Sequence, residues 1–168
     1  MRDAIAHQSH VRRGSYRALE DREHRPRAWP ALATAERLDV NEGISPDLPS
    51  TGWALTGVTS NERYVEREER VSLTTVQEGL GREHATCAAL IPMTKSAAWW
   101  DLTQDVRREV LEAQSHHIAV GLEYLPAIAR RLHHCRDLGG EFDFLTWFEF
   151  APHADGAFEE IVGRPAGH

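Results

Sequence analysis

Lysine is almost absent: of the nineteen Lys and Arg residues in this 168-residue chain, only Lys95 is a lysine. The formal net charge is -7 and charges of both signs are interspersed, so no basic stripe is available to neutralise a phosphate backbone, and nucleic acid is excluded as the expected partner. Cysteine is scarce as well. Cys87 and Cys135 lack CxxC spacing, which argues against a disulfide framework or a zinc knuckle and for two small buried hydrophobes. No run approaches the roughly twenty apolar residues that span a bilayer, and the N-terminus has no short apolar stretch of the secretory kind. The expectation is a cytoplasmic protein without a membrane partner. Gly-rich phosphate loops, a GxSxG elbow and HExxH are also missing, which removes the commonest enzyme signatures.

What remains is a chain with 41% apolar residues, enough for one sizeable core. Residues 1–35 are rich in Arg and His with almost no apolar periodicity, and read as a disordered or misread segment. Residues 36–168 read as one domain. Within it, 41–52 is a loop by its Pro, Gly, Ser and Asp content. The alternation at 53–58 predicts a strand, and 60–70 a charged helix capped by Ser60. The stretch 71–77 is β-branched and ambiguous, and the apolar run 85–93 predicts a buried strand. Thr103 caps a predicted long helix to Leu125, where Pro126 breaks it and opens a second helix ending at Gly139. The nearly all-apolar stretch 142–150 predicts a strand covered on both faces, and 154–162 a short amphipathic helix. This order is α+β and suits ferredoxin-like units with helices on one sheet face.

The chemistry is sought on the long helix. His117 falls on the stripe of Val106, Val110 and Ala113, whereas His116 falls among Glu109 and Glu112, so His117 is the inward histidine. Such a histidine is either a metal ligand or a core residue satisfied by a hydrogen bond. Trp99, Trp100 and Trp147 flank the helix; they can be plain core or the apolar walls that a flat porphyrin needs. Lys95, just before the first two, is a candidate point charge for a propionate or a solvated surface residue. Arg130 and Arg131 lie off the stripe of Ile128, Leu132 and Cys135, and periodicity reads both as surface.

Three blocks carry a resemblance: SNERYVEREERVSLTTVQEGLGR, AALIPMTKSAAWWDLTQDVRREV and QSHHIAVGLEYLPAIARRLHHCRDLGGEFDFLTWFEFAP. Together, from about Glu36 to Val162, they resemble the short, dimeric lineage of the chlorite dismutases. The resemblance implies a homodimeric α+β barrel of two ferredoxin-like halves, with haem b in the C-terminal half, and a haem-dependent chlorite O2-lyase that turns chlorite into chloride and dioxygen. It implies iron ligation by His117, a distal arginine at Arg130, a hydrogen-bonding glutamine at Gln77, a propionate lysine at Lys95, and haem-lining tryptophans at Trp99, Trp100 and Trp147. Related coproheme decarboxylases lack this arginine, so Arg130 favours chlorite chemistry. The family's first and last strands, the last with a glutamate for the proximal histidine, have no counterpart here. Their absence is expected to leave the 142–150 strand with an unpaired edge. Two alternatives therefore accompany the enzyme: a haem-binding or haem-sensing protein without turnover, and a truncated, inactive product.

Overall fold

A computed structural model of the chain describes residues 10–16, 35–40, 53–60, 64–76, 79–111, 123–124 and 126–163. The elements in chain order are β1 (His10–Tyr16), β2 (Ala35–Val40), β3 (Val58–Thr59), α1 (Arg67–Val76), β4 (Cys87–Met93), α2 (Ala97–Asp101), α3 (Gln104–Glu109), β5 (Ile128–His134), β6 (Phe144–Phe150) and α4 (Asp155–Gly163). The class is α+β, as expected. β1 and β2 form a two-stranded antiparallel sheet, and β1 lies within the Arg-rich first 35 residues. The other sheet has the order β3-β5-β6-β4 and is antiparallel throughout.

β6 is central because all seven of its residues are buried, so both of its faces must be covered. Its even-numbered residues share one face with Ile128, Arg130, Leu132 and His134 of β5, their cross-strand partners. On this face Phe148 and Phe150 meet Phe158 of α4, stacked on Phe150 at 4.5 Å, with Ile128, Ala89 and Tyr124 around them. On the opposite face Leu145 packs with Cys135, Phe142, Leu55 and Leu90. The α4 helix forms where 154–162 predicted one, because its buried Phe158 supplies the side chain that closes the first face.

Three expectations need correction. The predicted helix from Pro126 to Gly139 is strand β5 followed by a 3-10 turn at Arg136–Leu138, closed by Gly139 at φ 73°. Ile128 and Ala129 are both essentially inaccessible although adjacent, which requires cover on both faces of a strand. The helix expected from Ser60 begins at Arg67, because the Ser60 N–H donates to the Leu132 carbonyl (2.8 Å) and extends the sheet edge instead. Glu69 then marks the new start by accepting from the Glu66 N–H (2.7 Å), one half of a capping box. Finally, β6 has no unpaired edge: β4 and β5 each pair with its whole length. Among the described residues the sheet edges are the two-residue β3 and the longer β4, whose Pro92 suits an edge position. The strand expected at 53–58 is paired only at Val58–Thr59; of the stretch expected as a long helix, Gln104–Glu109 is helical and continues into 110–111, residues 123–124 are helical, and 112–122 lie outside the described residues.

Candidate functional site

The turn from β4 into α2 carries Lys95 and both adjacent tryptophans. Ser96 caps α2 by accepting from the Trp99 N–H at 3.2 Å. Trp99 and Trp100 meet edge to face at 4.8 Å, and Phe144 of β6 lies stacked on Trp100 at 5.7 Å and edge-on to Trp99 at 6.1 Å. His134 closes against Trp100 and Phe144. The tryptophan wall therefore stands on the sheet face that carries Phe148 and Arg130. Phe144 and Phe148 are four residues apart along β6, roughly 13 Å, a span suited to a flat porphyrin and its side groups.

The polar groups of the wall are sorted by one buried carboxylate. Asp143 accepts from the Lys95 N–H (2.6 Å) and from the Trp100 indole (3.1 Å) through Oδ2, while Oδ1 accepts from Arg136 (3.3 Å). Arg136 also covers the Trp100 ring at 4.2 Å, and Arg107 lies 5.0 Å from both indole centroids. The Lys95 ammonium is 5.9 Å from the Trp99 ring. Trp100 thus spends its donor on the protein. Trp99 does not: its indole nitrogen is buried and has no hydrogen-bond partner among the described residues. A buried indole N–H is ordinarily partnered, so an anionic group seated here would meet this donor and the Lys95 ammonium together.

Arg130 stands opposite Phe148 on the same face. It keeps some accessible surface, yet burial pushes its guanidinium below the ordinary value. The side chain is half-buried, and a guanidinium remains charged there. The residues present fit a haem: an aromatic wall, an unpartnered indole donor beside a cation, and a second, desolvated cation on the same sheet face.

Trp147 is not brought together with them. Strand alternation puts it on the opposite face, where its indole donates to Glu149 Oε1 (2.9 Å) and Glu149 Oε2 accepts from the Gly81 N–H (2.6 Å). His117, its neighbour His116 and Gln77 lie outside the described residues. Sequence reasoning missed Asp143, Arg107 and Arg136. Asp143 had a signal, one of two carboxylates inside an apolar run; the two arginines had none, since their roles depend on how α2 and α3 turn against the sheet.

Comparison with known proteins points to one family. The chlorite dismutase family profile matches residues 41–159. A chlorite dismutase of Ideonella dechloratans is 28% identical over 140 residues, which are 80% of this chain; the chain spans 47% of that curated relative. The crystal structure of a dimeric chlorite dismutase from Nitrobacter winogradskyi is 49% identical with a TM-score of 0.71, covering 96% of this chain and 83% of that one. A mutant chlorite dismutase from Candidatus Nitrospira defluvii is 26% identical with a TM-score of 0.52, covering 75% and 46%. No described helix is long and apolar enough to cross a membrane.

Proposed function

The chain belongs to the chlorite dismutase family, and from that premise we propose that it is a haem b-dependent chlorite O2-lyase, homodimeric and cytoplasmic, releasing chloride and dioxygen. His117 holds the iron, Lys95 and the Trp99 N–H hold the propionates, and Trp99 and Trp100 form the wall. Trp147 supports β6 from the opposite face. Bound haem would supply the redox-active iron chemistry that breaking a chlorine–oxygen bond requires.

The rest follows from the chain's own side chains. Arg130 is a permanent cation in a desolvated setting, where an anion is attracted far more strongly than in water. Its planar fork donates two parallel hydrogen bonds, which fixes the orientation of a bent oxyanion such as chlorite. The same charge retains an oxychlorine fragment long enough for its oxygen to be joined into dioxygen. Gln77 adds a neutral donor on the distal side. The observation that carries this reading is a half-buried Arg130 on the sheet face that also bears the tryptophan wall.

The ligand assignment is tested by titrating haem into His117→Ala and His116→Ala. The first should lose the spectrum of five-coordinate ferric haem and the second should keep it nearly intact; equal spectra would remove His117 from the role. For Arg130→Ala, haem loading should hardly change, while chlorite decay slows by about 10²–10³-fold, the usual cost of removing a preorganised donor, and more hypochlorite reaches a chlorination trap.

A further inference from the structure

Helix α2 has only five residues, Ala97–Asp101, too few to hold its own shape in water. The directions of Trp99 and Trp100 must therefore be imposed from outside. Arg107, in α3, is placed to do so. Its Nε donates to the Trp99 carbonyl at 3.1 Å, its Nη2 donates to the Trp100 carbonyl, and its guanidinium carbon lies 5.0 Å from both ring centroids. These carbonyls belong to a helix end, where acceptors carry partial negative charge; that of Trp99 also accepts from the Leu102 N–H (3.3 Å). A planar guanidinium can donate to both and lie against aromatic faces at the same time, which an ammonium cannot.

We propose that Arg107 is a positioning residue for the cofactor seat, fixing the indole pair so that the unpartnered Trp99 N–H stays aimed at a haem propionate. The inference rests on the haem reading above. Arg107 touches neither substrate nor cofactor; it acts through the tryptophans. It also lies ten positions before His117, so one side chain ties the tryptophan wall to the segment leading to the proposed iron ligand. Guanidinium shape, not charge alone, is what the role requires.

The experiment compares wild type, Arg107→Lys and Arg107→Ala in the full chain. Near-ultraviolet circular dichroism of the haem-free proteins reads the tryptophan arrangement. Transfer of haem to excess apomyoglobin reads the seat, and thermal unfolding reads the fold. Arg107→Lys should unfold close to wild type, yet show an altered tryptophan spectrum and lose haem about 10-fold faster, the lower range for loss of a supporting partner at a metal site; Arg107→Ala should lose it at least as fast. Wild-type haem retention and an unchanged spectrum in Arg107→Lys would overturn the proposal, because charge alone would then suffice. If wild type itself binds no haem, the functional reading fails, and the spectra of the haem-free proteins still decide whether the guanidinium clamps the indoles.

Discussion

Asp143 and Glu149 are carboxylates inside an apolar run, 7% and 4% exposed, and each survives burial because hydrogen-bond donors surround it. Replacing Asp143 by alanine orphans the Trp100 indole and the Lys95 N–H at once. The expected cost is about 2–4 kcal/mol in urea unfolding, from two unmade buried hydrogen bonds; a loss below about 0.5 kcal/mol would mean that water replaces the carboxylate. Cys135 responds to the same neighbour. Burial first, and then the Asp143 charge, pushes its thiol from 9.0 up to about 11. The unfolded thiol therefore ionises before the folded one, and its contribution to stability is whole below pH 9 and lost as pH rises through about 11. Cys135→Ala should flatten alkaline destabilisation across that window. At pH 8 a thiol reagent should label half-buried Cys87 well before Cys135; equal labelling rates would contradict the burial assigned to Cys135. The burial of Cys135 was legible in the sequence, whereas its coupling to Asp143 was not.

At the scale of elements, hydrophobic runs were read well and shared periodicities badly. The apolar run at 142–150 could only be a strand covered on both faces, and β6 is one. The segment after Pro126 was ambiguous because Ile128 and Leu132 are four apart, a spacing that fits a helical turn and strand alternation equally. The ladder to β6 settled it. That change moved Arg130 from a helix surface to a sheet face shared with Phe148. Only the family resemblance had singled out Arg130 in the sequence, since its role depends on a pairing partner eighteen residues away. Attachment of β3 to β5 gives a further test. A Cβ on Gly57 would sit 2.6 Å from His133 Cβ and 2.9 Å from Cys135 Sγ, so the strands approach too closely for a side chain. Gly57→Ala should cost about 1–3 kcal/mol, as overpacking usually does, and lower the thermal midpoint. A neutral or stabilising result would mean that β3 can shift outward freely.

On the scale of the whole molecule, the α+β architecture and family membership rest on a four-stranded sheet and a match over residues 41–159. The central claim is that this scaffold holds a haem whose chlorite chemistry is governed by Arg130. Its parts are an aromatic wall with one unpartnered donor and a desolvated guanidinium, both on one sheet face. A haem-binding protein without turnover would need the wall, but it would not need a cation on the same sheet face. Dioxygen release from chlorite, followed with an oxygen electrode on the haem-reconstituted chain, tests the claim most directly. Atom balance requires one dioxygen for each chlorite consumed; wild type should approach that yield, and Arg130→Ala, equally loaded with haem, should be far slower. A haem-loaded wild type that releases no dioxygen, or an Arg130→Ala variant as fast as wild type, would contradict it.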